Sequence, residues 1–535
     1  MIPAPVVWST LLIAGPLLAA LVALSDRART IRLGLAFGSG AALAGSAGLW
    51  REVVATGPMR HLVGGWGAPL GIELGADGLS VAMLTLTAVV GSAVSLHATA
   101  YFGDPPTSGV RQAPSGRGAR FFAPLWLLLW AALNGVYLSR DLFNLYVTLE
   151  ILGLSAAAMV TLAVTSKAMT AGLRYLLVSL VGSLLFVFGV ALLYATYGVL
   201  SLEGLAAAAP AGPVPATALA AMTVGLSMKT ALFPFHGWLP PAHSSAPAPG
   251  SALLSGLVVK ASFYVLLRLW VDVYAASAQA ALLMLGVLGG AAILWGSVLA
   301  LRQTRLKRLV AYSTVAQLGY LLVMFPLLMA PGEEGVTGGH LQAQAQAWSG
   351  GIYHALSHGV AKAAMFLAAG CLSYAVSRDS LASLSGLAHR LPLSFFAFGL
   401  AGMSLAGIPP SGGFVSKWLM MRSAMDSGRW GWALLMALGG ILTAVYVLLV
   451  VRRGLGPGTG PPSGTEPRLA AATVPDPGTE DAPQSRPGSG TPRLRSVPRR
   501  MEWTAVGLAL LTVLMGVRAT EILALLEIVG GPPWR

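Results

Sequence analysis

The sequence predicts an all-α integral membrane protein with about fourteen transmembrane helices, and three observations carry that prediction. Of 535 residues, 55% are hydrophobic and only 10% are charged, whereas a soluble domain carries about 25% charged residues. Apolar runs long enough to cross a bilayer recur from residue 6 to residue 528, with no soluble module between them. The basic residues fall mostly in alternate loops, as the positive-inside rule requires.

At about 20 apolar residues per crossing, spans are expected at 6–24, 33–50, 79–97, 121–138, 142–163, 175–198, 214–235, 250–271, 279–301, 309–330, 348–374, 393–421, 430–451 and 502–521. The first run lacks a basic n-region and a small-residue cleavage site, so it reads as a span and not as a removed signal. With the N-terminus outside, the inward loops hold 22 of the 34 Lys and Arg and the outward segments 7. Both termini are therefore expected outside, in the cell (inner) membrane. Residues 1–120 carry the first three spans, 121–272 the fourth to eighth, 273–453 the ninth to thirteenth and 501–535 the last. Residues 454–500 are dominated by Pro, Gly, Ser, Thr and Arg and read as a disordered cytoplasmic linker. A shorter loop at 103–118 has the same character.

Composition also excludes functions. The net charge of +14 is spread over membrane loops and does not point to nucleic acid. A single cysteine, Cys371, excludes intrachain disulfides, a cysteine-ligated iron–sulfur cluster and a Cys-based zinc site. No GxGxxG or GxxxxGK[ST] loop supports nucleotide binding.

The informative residues are charges inside spans. An ionisable group near the bilayer centre costs roughly 2.5–3.5 kcal/mol on the insertion scale, so each needs a partner, a polar cavity or a function. Glu150 lies deep in LFNLYVTLEILGLSAAAMVTLA, Lys229 in GLSMKTALFPFHGWLP, Lys260 in SALLSGLVVKASFYVLLRLW and Lys417 in GIPPSGGFVSKWLMM. YHALSHGVAKAAMF sets His354, His358 and Lys362 four residues apart, along one helix face. Arg268, near a helix end, is expected to snorkel to water. Pro234 after Lys229, and Pro409, Pro410, Gly412 and Gly413 before Lys417, predict interrupted helices beside both lysines. One broken, lysine-bearing helix in each half suggests an internal repeat. The chemistry that fits is a proton relay. Burial makes a lysine shed its proton and a nearby carboxylate makes it hold on, while histidine titrates near neutrality. The His pair has no carboxylate or cysteine beside it, so no metal or haem site is assigned.

At these residues the chain resembles the antiporter-like membrane subunits of respiratory complex I, the membrane hydrogenases and the Mrp-type cation/proton antiporters. DLFNLYVTLEILGLSAAAMVTL, KTALFPFHGWLPPAHSSAPAPGSALLSGLVVKASFYVLLR, RLKRLVAYSTVAQLGYL, YHALSHGVAKAAMFLAAG and AGMSLAGIPPSGGFVSKW carry the resemblance, over roughly residues 120 to 420. It implies two inverted five-helix repeats, with Glu150 pairing with Lys229 to gate a half-channel. Lys260, His354 and His358 would carry the proton along the central axis, and Lys417 would be the exit-side group. The lysine at that place points to a quinone-reductase N-type or L-type or an antiporter D-type subunit, the look of the seventh-to-eighth helix stretch favours the antiporter D-type or hydrogenase side, and the missing amphipathic arm argues against the L-type, so the chain is most like an antiporter D-type or quinone-reductase N/M-type subunit. Two departures stand out: Pro241 replaces the acid of the usual WLPDAH, and the Arg-rich linker before the last helix is not part of the pattern. The expected function is proton translocation within a multisubunit complex, coupled to quinone or hydrogen redox chemistry or to sodium/proton exchange. The chain would hold no cofactor of its own, with other membrane subunits as partners and quinone in a neighbouring subunit. The alternatives are the proton path of an ion-coupled uptake system, such as one for inorganic carbon, or an oxidoreductase that itself holds haem or quinone.

Overall fold

The computed structural model describes residues 4–25, 27–67, 71–103, 117–274, 279–329, 338–457 and 494–527. The apolar runs become helices because, in lipid, a helix satisfies its own backbone groups. In chain order the first elements are α1 (Ala4–Ala23), α2 (Ala28–Thr56), β1 (Met59–Leu62), β2 (Glu73–Ala76), α3 (Gly78–Tyr101), α4 (Arg117–Leu138), α5 (Leu142–Thr161) and α6 (Ser166–Tyr197). Next come α7 (Leu202–Ala208), α8 (Pro213–Thr230), α9 (Leu239–Ser245), α10 (Ala248–Leu253), α11 (Val259–Arg268), α12 (Gln279–Leu301) and α13 (Leu306–Leu327). The chain closes with α14 (Gly338–Val376), α15 (Pro392–Ala406), α16 (Gly412–Asp426), α17 (Trp430–Leu455), α18 (Arg499–Val517) and α19 (Ala519–Glu527).

Among the described residues, thirteen helical stretches are long and apolar enough to cross a bilayer. The remaining expected span falls on α15 and α16, 15 residues each, or about 22 Å apiece. The span expected at 393–421, with an interruption at Pro409–Pro410, is two helices that part at that place. Gly407 turns left-handed at φ 84°, Pro409 and Pro410 have no N–H to continue the ladder, and Ser411 caps the new helix by accepting from the Phe414 amide at 3.2 Å. Other spans outrun their hydropathy. The helix expected at 348–374 is the 39-residue α14, whose polar start, GGHLQAQAQ, no apolar count includes. Most of the 454–500 linker and of the 103–118 loop lies outside the described residues.

The stretch between the second and third spans, expected as a loop, forms an antiparallel hairpin with Met59 opposite Ala76 and Leu62 opposite Glu73. Burial then sorts the helices. On α6, Leu173, Leu177, Leu184 and Phe188 are exposed, and on α17, Leu434, Ile441 and Leu448; such four- and seven-residue spacing is one apolar face turned outward. By contrast every residue from Ala246 to Val271 is buried. The α10–α11 rod is buried along its whole length, and α13 and α14 pack against it.

Candidate functional site

Lys229 stands one residue from the end of α8. The helix stops there because Ala231 turns left-handed at φ 59° and Pro234 cannot rejoin the ladder, so it ends four residues before the proline that signalled the break. The last carbonyls of α8 lose their helical donors. Trp238 supplies one, its indole N–H donating to Met228 O at 2.9 Å, and its ring stacks on Tyr175 of α6 at 4.1 Å. At this braced end the Lys229 ammonium donates to Glu150 Oε1 at 3.1 Å and to Ser179 Oγ at 3.0 Å. Ser183 donates to the same Glu150 oxygen. The lysine side chain is 3% exposed and the glutamate 20%, so the carboxylate is the reachable half of the pair. Close contact of α6 with α8 makes this geometry: a Cβ on Gly182 would meet Gly225 O at 2.7 Å.

Lys260 opens α11, just after a widened π-turn over Leu254–Val258, a local unwinding often found at functional sites. Its ammonium donates to Ser255 O, and the Ser255 hydroxyl bonds Thr314 Oγ1 of α13 at 2.9 Å. On α14 the His354 and His358 rings lie parallel, centroids 5.7 Å apart. The His354 ring nitrogens contact Ser416 Oγ at 3.3 Å and Gln317 O at 3.2 Å. Neither ring nitrogen of His358 has a hydrogen-bond partner, and Lys260, Lys362 and Lys417 all lie within electrostatic reach of it. One turn on, Lys362 donates to Val310 O at 3.0 Å and to the Ser313 hydroxyl.

Lys417 uses the second break directly. In a continuous helix Leu405 O would accept from residue 409, but Pro409 has no N–H. The Lys417 ammonium takes that place, donating to Leu405 O at 2.6 Å, and lies over the Tyr320 ring at 4.1 Å. Lys260 from the first half of the chain and His358, His354 and Lys417 from the second thus form one buried row. No described hydrogen bond joins the Glu150–Lys229 pair to Lys260. Ser179, Ser183, Ser313, Gln317 and Tyr320 were not anticipated. Neutral polar residues in apolar runs carry little signal, although their helical spacing from the charged groups was available.

Arg268 corrects an expectation. It does not snorkel: its side chain is 4% exposed and Nη2 donates to Asp77 Oδ2 at 2.5 Å. Arg140 donates to the same oxygen at 2.8 Å, and Asp77 also caps α3 by accepting from the Ser80 amide. Depth along the sequence was misleading because the partner lies 191 residues away. Burial by itself raises the Asp77 carboxyl, but Arg268 and Arg140 outweigh it and hold the group well below the usual carboxylate range.

The family model for NADH:quinone oxidoreductase/Mrp antiporter transmembrane proteins matches residues 139–444. The chain belongs to that family. It is an antiporter-like, multi-pass membrane protein of the kind that serves as one part of a larger complex. The N subunit of the NADH-quinone oxidoreductase of Desulforudis audaxviator is 35% identical over 434 residues, 79% of this chain and 82% of that protein. The D-type component of the Na+/H+ antiporter of Alkalihalophilus pseudofirmus is 29% identical over 392 residues, covering 72% and 74%. A chain of the Mrp complex from Dietzia sp. DQ12-45-1b superposes with a TM-score of 0.80 at 28% identity, covering 97% of this chain and 96% of that one. A chain of Thermus thermophilus respiratory complex I does so with a TM-score of 0.69 at 23% identity, covering 97% and 98%, which shows the shared fold. Both solved neighbours are parts of larger membrane complexes.

Proposed function

We propose that this protein translocates protons within a multisubunit complex of the cell membrane, both termini outside, and that the complex drives it by redox chemistry or by sodium exchange. The observation that carries the reading is the contact of buried Lys229 with part-exposed Glu150 at the end of a broken helix, 3.1 Å apart. Burial disfavours the charged lysine and the carboxylate favours it, so separating or closing the pair makes Lys229 release or take up a proton. From Lys260 the row through His358 and His354 to Lys417 supplies groups able to pass that proton on. We read 121–272 and 273–453 as two inverted repeats, supported by a helix break beside a lysine in each. Where the complex uses quinone, we place it in a neighbouring subunit.

The test is proton flux through the intact complex in proteoliposomes. Lys229→Ala and Glu150→Gln should each lower flux by at least about tenfold, the low end of what positioned acid–base groups supply, with the stoichiometry of the complex unchanged. Unchanged flux in both variants would sink the reading. The proteins that co-purify under mild detergent separate the two drives: flavin or iron–sulfur proteins mark a redox pump, small membrane proteins alone a sodium/proton exchanger.

A further inference from the structure

The family model matches residues 139–444, so α18 lies beyond it, and no group of the proton row sits on this helix. It is nevertheless the helix seated on the second break. Ala505, Ala509, Thr512 and Met515 are buried on it, while Trp503, Leu510, Leu514 and Val517 are exposed; the three- and four-residue spacing of the buried set makes one helix face. α18 packs on α3, α14, α15 and α16.

The helix is bonded at both ends. At its start Ser394 of α15 donates to Glu502 Oε1 at 2.8 Å, and Thr504 Oγ1 bonds His97 Nδ1 of α3 at 2.9 Å. In its last turn, where carbonyls lack helical donors, the Tyr353 hydroxyl of α14 donates to Met515 O. Beside that bond α18 meets the backbone of the break. A Cβ on Gly516 would run into Pro410 O and the carbonyl carbon of Ser411, and one on Gly412 would meet Met515 Cβ at 3.0 Å. An approach to main chain this close needs glycine at the contact.

The same stretch of backbone orients two groups of the row. Gly413 donates its N–H to Ser404 Oγ at 3.3 Å and accepts from Ser416 Oγ at 2.9 Å. The Ser416 hydroxyl in turn contacts His354 Nδ1 at 3.3 Å, and across the gap Lys417 donates to Leu405 O at 2.6 Å. Tyr353 and His354 are consecutive on α14, so one residue holds α18 and the next meets the break.

We propose that α18 is the brace of the second break, and that Gly516 and Tyr353 are positioning residues that set His354 against Lys417. No proton passes through either. With α18 seated, the Ser416 hydroxyl and the Leu405 carbonyl lie where the ring and the ammonium reach them. A side chain at position 516 lifts the helix off Pro410, and the two groups lose that common frame.

The inference rests on the proton-translocating reading, so Lys229→Ala and Glu150→Gln are measured alongside, all in the intact complex reconstituted in vesicles. Gly516→Val should lower proton flux about tenfold and Tyr353→Phe about threefold, since a misplacement of about 1 Å can cost up to about a hundredfold. Both should also displace the pH profile of flux by about half a pH unit or more, because the titrating groups change surroundings. Leu514→Ala, on the exposed face of the same turn, should change flux less than about twofold and leave the profile in place. Wild-type flux in Gly516→Val and Tyr353→Phe, with flux lost in Lys229→Ala, would overturn the brace and leave the translocating reading standing. Lowered flux with an unmoved pH profile, or an equal loss in Leu514→Ala, would make α18 a packing helix and overturn the brace as well. If Gly516→Val fails to assemble, Gly516→Ala and Tyr353→Phe decide by the same two readouts. Wild-type flux in both Lys229→Ala and Glu150→Gln would end both readings.

Discussion

Asp77 is buried at the start of α3 with two guanidinium groups on it, and removing its charge leaves Arg268 with Asp272 alone, at 3.2 Å. Breaking a buried pair from one side costs about 3–5 kcal/mol, whereas replacing both partners by apolar groups is often neutral. Asp77→Asn should therefore lower the melting temperature of the detergent-solubilised protein clearly, and Asp77→Leu with Arg268→Met should recover most of the loss. The pH dependence has a definite sign. The folded carboxyl is depressed below its ordinary value of 3.8, so its contribution is fully present at neutral pH and is lost as pH falls below about 4. A melting temperature for wild type that drops no faster below pH 4 than that of Asp77→Asn would contradict this. The charged residues of the row could be read from the sequence because each is costly in lipid. Asp77 could not, because it sits at a helix start, where an acid is an ordinary cap.

Helix breaks are the element that turns lysines into site residues here. Both were legible from Pro234 and from Pro409–Pro410, since proline removes a donor wherever it falls. Their exact place was not. Ala231, with no special signature, ends α8 early because Trp238 and the next turn satisfy its carbonyls. The packing of α6 on α8 depends on Gly182 and Gly225, and a methyl at Gly225 would run into the Gly182 carbonyl. Gly225→Ala should push the two helices apart and weaken the Lys229–Glu150 contact. The expected result is a several-fold loss of proton flux with the complex still assembled; wild-type flux would show that the close approach is dispensable.

For the whole molecule, fourteen crossings follow from apolar length and loop charge, quantities that any sequence displays. The hairpin β1–β2 does not, since four-residue strands leave no periodicity above noise. The charge bias also predicts orientation. In a Cys371→Ala background, Trp66→Cys on the hairpin side should react with an impermeant maleimide added outside intact cells, and Lys167→Cys should react only after the membrane is opened. The reverse pattern would invert the topology. The Asp77–Arg268 pair, finally, has a meaning for how the protein is made. During synthesis Asp77 enters the membrane with α3 long before Arg268 is translated, and only Arg140 can accompany it in the interval. The Asp77–Arg268 contact therefore closes only with the eighth crossing, and a chain that stopped before residue 268 would leave Asp77 the Arg140 guanidinium alone.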